Sequence, residues 1–112
     1  MTLEGTQLLG QRAVTANGQA IHAINPATGE TLSPGYPAGS KPEVEQACEL
    51  AWAAFETYRE TGLEARARFL ETIADEIEAI GDTLIERGVA ESGLPQARIQ
   101  GERGRTCGQL RL

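Results

Sequence analysis

The hydrophobic period of the chain changes at Ser40, and this change limits the folds available to it. Before Ser40, short apolar runs alternate with glycine, proline and asparagine, which interrupt regular structure. After Ser40, apolar residues recur every three or four positions, the spacing that places side chains on one face of an α-helix. The 112 residues therefore predict one small domain, extended at its start and mostly helical afterwards.

The extended segment is predicted to contain a β-hairpin. Two short, partly apolar runs, residues 7–15 and 20–25, flank Asn17-Gly18. Asn-Gly tolerates the two positive φ angles of a type I′ hairpin turn, so we expect the strands to pair across it. Residues 25–29, Asn-Pro-Ala-Thr-Gly, predict a second turn, because proline fixes φ and glycine accepts a left-handed conformation.

The first predicted helix starts at Ser40, which forms a capping box with Glu43 three positions later. Thr61 and Glu64 repeat this pattern and predict the start of a second helix. The first helix carries an apolar stripe that we interpret as core. Its members are Val44, Ala47, Cys48, Ala51, Trp52, Phe55 and Tyr58.

The second helix has the clearest stripe, and Gly81-Asp82 predicts a break in it. The helical pattern then continues to Gly93, where glycine can end a helix, and Pro95 suits the first turn of another.

The final segment, Pro95 to Leu112, is polar and contains Gly101, Gly104 and Gly108. Three glycines cost a helix roughly 3 kcal/mol relative to alanine. Their spacing nevertheless places them on one face, where another backbone could approach closely. Two interpretations stay open: a frayed tail, or a helix that needs a partner absent from this chain. The spacing favours the helix, and the uncapped end predicts a chain that has been cut.

Charge and composition exclude several classes of function. The net charge of −6 argues against non-specific nucleic-acid binding and against a polybasic membrane anchor. No apolar run approaches the roughly 18 residues of a membrane span, and the N-terminus lacks a signal-peptide pattern. The two cysteines, Cys48 and Cys107, are too few for a disulfide scaffold, which predicts a soluble protein of the reducing cytoplasm.

Cys107 is the one candidate nucleophile, since Arg103 and Arg111 stand four positions either side and could lower its pKa. The only histidine, His22, lies far away in a predicted strand, and nothing marks it as a base or ligand. We therefore interpret Cys107 as a packed thiol and His22 as a surface residue.

Two further patterns are weak. Glu71, Asp75 and Glu78 form an acidic ladder that could hold a hard cation, but a solvated face paired with Arg68 and similar neighbours fits better. The run 101–105 could contact phosphate, yet it follows no strand and lacks the glycine-rich patterns that cradle phosphates. The residues assign no catalytic, cofactor-binding or metal-binding position.

Several motifs together resemble the aldehyde dehydrogenase superfamily. They are the turn at 25–30, Ala-Trp-Ala-Ala-Phe at 51–55, the helix at 66–80, Glu-Ser-Gly-Leu-Pro at 91–95, and the run 95–111. The last of these is similar to the NADP-preferring branch that includes 2-oxoglutarate semialdehyde (2,5-dioxovalerate) dehydrogenases. Leu94 stands where that family usually has lysine.

This resemblance implies an α/β parent fold with a Rossmann-like nucleotide-binding domain. Residues 1–112 would be its N-terminal part, with a hairpin and turns at 7–39 and helices at 40–112. The catalytic and oligomerisation regions would lie outside the chain.

The resemblance also implies a reaction for the whole enzyme. A cysteine thiolate adds to the aldehyde, hydride passes to NAD or NADP, and a glutamate activates water to release the acid. The matching positions lie beyond Leu112, and Cys107 does not align with the nucleophile.

The expected partners are the remainder of the subunit, an aldehyde and further subunits of a homo-oligomer. The fragment alone would be inactive. The alternatives are a non-enzymatic helical interaction module and an inactive truncated product.

Overall fold

The computed structural model describes residues 2–112, which divide into two compact units. One unit contains residues 2–23 and 31–61, and the other contains 24–30 and 62–112. The elements are β1 (Gln7–Leu9), β2 (Arg12–Val14), β3 (Ala20–Ile21), β4 (Tyr36–Pro37), α1 (Lys41–Tyr58), α2 (Leu63–Ala79), α3 (Asp82–Ser92) and α4 (Gln96–Leu110). Each unit has its own small set of buried residues. Those sets are Leu9 and Ala16 in the first unit, and Ala74, Ile85 and Cys107 in the second.

The β-hairpin is present, but its turn is not at Asn17-Gly18. Strand β1 pairs antiparallel with β2 across the two residues Gly10 and Gln11. Gly10 has a φ of +60°, a backbone conformation that residues other than glycine rarely adopt. The earlier turn leaves Asn17-Gly18 outside the hairpin.

Gly18 instead allows two backbone segments to approach each other closely. Its N–H donates to the carbonyl of Ala38 at 3.2 Å, next to the antiparallel pairing of β3 with β4. A Cβ at Gly18 would lie 2.3 Å from that carbonyl oxygen, so only glycine fits.

Helix α1 begins as predicted, with Ser40 and Glu43 forming the capping box. The expectation that its stripe forms a core is wrong: none of the residues of α1 is buried. Cys48 is exposed, and Trp52, Phe55 and Tyr58 are exposed large apolar side chains. The reason is that α1 meets β1 along one edge of this stripe, where Ala47 and Ala51 lie beside Leu50 and Ala54, and not through its larger side chains.

Helix α2 begins one residue later than predicted. Gly62, and not Thr61, occupies its N-cap position, so the second capping box is not how this helix starts. The predicted break is confirmed: α2 ends at Ala79, and Gly81 has a φ of +69° before α3 begins. Gly93, also at a φ of +69°, ends α3 as expected.

The final segment forms a helix, α4, that packs against α2 and α3. The side with Gly101, Gly104 and Gly108 faces open space, since a Cβ at any of them would meet nothing within 4 Å. Helix formation is therefore confirmed, whereas a partner for the glycine side stays a prediction. Among the described residues, none of the helices is long and apolar enough to cross a membrane.

Candidate functional site

The contact between α2 and α4 is the best-packed place in the second unit. Ala74 is fully buried and Cys107 is 1% exposed. The Cys107 thiol lies 3.6 Å from the carbonyl oxygen of Ala74, to which it donates a weak hydrogen bond. A thiol closed in by another helix cannot receive a substrate. This confirms Cys107 as a packed residue.

The two arginines that flank Cys107 bind groups on or next to α2. Arg103 donates to the carbonyl of Gly81 at 3.0 Å, which joins α4 to the end of α2. Arg111 binds two carboxylates of α2, reaching Asp75 at 2.6 Å and Glu78 at 2.8 and 2.9 Å. Both arginines therefore hold helices together.

The Arg111 contacts correct the sequence-based account of the acidic ladder. Asp75 and Glu78 pair with Arg111, more than thirty positions away, and not with Arg68. The hydrogen bond from Arg111 lowers the pKa of Glu78, and the carboxylates raise the pKa of Arg111. Within residues 2–112, no group of three histidine, cysteine, aspartate or glutamate side chains is placed to hold a metal ion.

The run 101–105 does not form a phosphate cradle. It lies inside α4, where backbone N–H groups bond to carbonyls one turn earlier. Arg105 and Arg98 both pair with Glu102, at 2.9 and 2.8 Å, and the hydrogen bond from Arg105 lowers the pKa of that carboxyl. Residues 101–105 therefore do not form a loop whose N–H groups could bind the pyrophosphate of a dinucleotide.

His22 lies at the surface of the first unit. It is exposed, follows β3 directly, and has Nδ1 3.4 Å from the carbonyl oxygen of Leu32. This agrees with its interpretation as a surface residue.

The turn at residues 25–29 forms as predicted and is closed by its own side chains. The Oδ1 atom of Asn25 accepts the N–H of Ala27 at 2.9 Å, and the Asn25 carbonyl accepts the N–H of Gly29 at 2.7 Å. Gly29 has a φ of +75°. Pro26 packs against Gly93 at the junction between α3 and α4, where a Cβ would lie 2.7 Å from the proline ring.

Two open cavities border these contacts, and neither contains catalytic groups in a reactive arrangement. The first, about 270 Å³, lies beside the turn and includes Asn25, Ile85 and Gln96. The second, about 400 Å³, lies between α2, α3 and α4 and is almost entirely apolar. Its lining includes Ile77, Ile80, Leu84, Ile85 and Ile99, with Arg103 at its polar end.

Comparison with known proteins identifies the family. The sequence model of the aldehyde dehydrogenase family matches residues 13–112. The chain belongs to the aldehyde dehydrogenase family. The motifs at 25–30 and 91–95, which suggested this family, are the two segments that meet through Pro26 and Gly93.

Curated aldehyde dehydrogenases of bacteria are similar over most or all of the chain. Alpha-ketoglutaric semialdehyde dehydrogenase 2 of Azospirillum brasilense is 54% identical over 100% of this chain and 22% of its own length. The alpha-ketoglutaric semialdehyde dehydrogenase of Acinetobacter baylyi is 40% identical over 96% of this chain and 20% of its own. Succinate semialdehyde dehydrogenase of Escherichia coli is 39% identical over 72% of this chain. The chain spans about a fifth of the length of these relatives.

Proposed function

We propose that this chain is the N-terminal part of the nucleotide-binding domain of an NAD(P)-dependent aldehyde dehydrogenase. The whole enzyme would oxidise alpha-ketoglutaric (2-oxoglutarate) semialdehyde to its carboxylic acid through a cysteine thioester. The observation that carries this proposal is the 54% identity to the Azospirillum brasilense enzyme along the whole chain. The 40% identity to a second alpha-ketoglutaric semialdehyde dehydrogenase supports the same substrate.

The role of this chain within that enzyme is structural. Its buried cysteine is packed against a backbone carbonyl, its arginines bind carboxylates and carbonyls, and its glycine-rich run lies inside a helix. We therefore assign the reacting cysteine, the glutamate that activates water and the groups that bind NAD or NADP to the rest of the subunit. The whole protein would be a cytoplasmic homo-oligomer.

Inactivity of the isolated chain is the direct test of this assignment. The purified chain is mixed with alpha-ketoglutaric semialdehyde and NAD+ or NADP+, and the absorbance of the reduced cofactor is followed. We expect no aldehyde-dependent signal from the chain or from its Cys107→Ala variant. Turnover by the chain that disappears in Cys107→Ala would overturn the proposal, because it would place the nucleophile inside these 112 residues.

The exposed apolar side chains of α1 favour a second candidate, a helical interaction module that works without the rest of an enzyme. Coding sequence and native mass separate the two candidates. A reading frame that continues into a nucleotide-binding sheet and a catalytic cysteine supports the enzyme. A stop codon after Leu112, with a stable and monodisperse 12.0 kDa product in the cell, supports the module.

A further inference from the structure

The most prominent apolar surface of the first unit lies on α1. Val44, Cys48, Trp52 and Phe55, called here the α1 stripe, follow one another at intervals of four, four and three residues. This spacing places them on one side of a helix. Trp52 is 78% exposed, Val44 60% and Phe55 52%. A single exposed apolar residue is ordinary, but a continuous stripe with an indole and a phenyl ring marks a contact surface.

The α1 stripe is separate from the side of the helix that packs within the unit. That side consists of Ala47, Leu50 and Ala54, which line a shallow cavity with Leu8 and Leu9 of β1. It is made of small side chains and Leu50, whereas the rings of Trp52 and Phe55 lie on the α1 stripe. The helix therefore has two apolar sides, and the one that carries Trp52 is largely exposed in this chain.

Charge disfavours a second copy of this chain as the occupant. Residues 41–60 carry five glutamates against one lysine and one arginine. Lys41 and Arg59 pair with Glu45 and Glu56, each at 3.5 Å, which leaves α1 with excess negative charge. Two copies that met through this helix would bring like charges together. The occupant that fits is an apolar surface with basic groups at its edge.

The length of the relatives points to the rest of such a subunit as the occupant. The Azospirillum brasilense enzyme, 54% identical here, has about four-fifths of its length outside the part that this chain matches. We infer that the α1 stripe is the docking surface for that remaining part of an aldehyde dehydrogenase subunit, which covers Trp52 and Phe55. This inference rests on the proposed function and adds the surface through which the chain joins the enzyme.

Cys48 provides a local probe of this surface. The test protein is a chimera in which this chain replaces the matched residues of the Azospirillum brasilense enzyme. Alkylation of Cys48 is followed by mass spectrometry of its peptide, in the chimera and in the isolated chain. Cys107, buried in the isolated chain, serves as an internal control for unfolding.

We expect Cys48 to react at least about tenfold more slowly in the chimera than in the isolated chain, because closed surfaces react only through local opening. Trp52→Glu in the chimera should restore fast alkylation and lower the melting temperature. Ala53→Glu is the matched control, because Ala53 is an exposed neighbour that lies away from the α1 stripe. It should change neither the rate of Cys48 alkylation nor the melting temperature.

Three results would overturn the inference. They are equally fast alkylation of Cys48 in a folded chimera, protection of Cys48 in the isolated chain that grows with its concentration, and an insoluble chimera beside a soluble parent enzyme. The second result would identify another copy as the occupant. A chimera that protects Cys48 but lacks activity would refute the proposed function and support the docking surface. An active chimera in which Cys48 still reacts fast would support the proposed function and refute the docking surface.

Discussion

Pro26 lies against Gly93, although 67 residues separate them in the sequence. The first belongs to the turn at 25–29 and the second ends α3 with a φ of +69°. A glycine is needed there for two reasons, the left-handed backbone and the nearby proline ring. This contact fastens the turn to the helical cluster of the second unit.

Replacing Gly93 should therefore lower the free energy of unfolding by more than the strain of its positive φ alone would. We expect Gly93→Ala to lower the free energy of unfolding by about 2–3 kcal/mol, through positive φ and the contact 2.7 Å from Pro26. Gly29→Ala is the control, because Gly29 has a φ of +75° but open space around it, and it should cost only about 1 kcal/mol. Urea titration monitored by circular dichroism measures both. Equal losses would mean that the Pro26 contact contributes nothing.

The glycine side of α4 has space for larger side chains, so a substitution there should stabilise the chain. We expect Gly104→Ala to raise the stability of the isolated chain by roughly 0.8–1 kcal/mol, because alanine favours the helix and a Cβ meets nothing there. Gly88→Ala in α3 is the matched control. Its Cβ would lie 3.0 Å from Ile99, so the gain in helix propensity should be offset by crowding. Similar gains at both positions, measured by urea unfolding, would contradict the packing of α3 on α4.

A larger side chain at position 74 tests how closely α2 and α4 pack. We expect Ala74→Leu to destabilise the chain by about 1–3 kcal/mol, because Ala74 is fully buried and leaves no room for a larger side chain. Ala79→Leu, at an exposed position near the end of the same helix, should change stability by less than about 0.5 kcal/mol. Thermal unfolding of the two variants compares them. Tolerance of Ala74→Leu would show that the helices do not meet at this point.

The pairing of Arg111 with Glu78 predicts a pH dependence. The pKa of Glu78 is lowered in the folded chain, mainly by the hydrogen bond from Arg111. Folding therefore gains from the ionised carboxylate above the ordinary pKa, and this gain is lost as pH falls through the lowered value. We expect Arg111→Leu to raise the pKa of Glu78 towards its ordinary range, as measured by NMR titration of the side-chain carboxyl.

Arg68→Leu is the control for this titration, because Arg68 is the partner that local spacing suggests. It should leave the pKa of Glu78 nearly unchanged. A larger effect of Arg68→Leu than of Arg111→Leu would mean that the acidic ladder pairs within α2, and that α4 is not fastened at its C-terminal end.

The helices were predictable because their signals are local. The capping box at Ser40, the break at Gly81 and the terminator at Gly93 depend on residues within one or two turns, and all three are present. The resemblance to aldehyde dehydrogenases was also readable, since short motifs along the chain preserve the family order.

The features that sequence reasoning missed depend on distant partners. An apolar stripe shows which residues share a side of α1, but not whether other residues of this chain cover them. Trp52 and Cys48 were therefore expected in the core, although both are exposed. Asn17-Gly18 has the stronger turn pattern, yet the backbone of Ala38 occupies the space beside Gly18 and the hairpin turns at Gly10. The Arg111 pairing joins residues more than thirty positions apart, which no helical spacing rule can anticipate.

The activity of the chimera with the Azospirillum brasilense enzyme tests the central claim most directly. If this chain is the structural N-terminal part of an aldehyde dehydrogenase, the chimera should form NADH or NADPH from alpha-ketoglutaric semialdehyde at a rate close to that of the parent enzyme. The isolated chain should form none under the same conditions. A folded, assembled chimera without activity, or turnover by the isolated chain, would contradict the account.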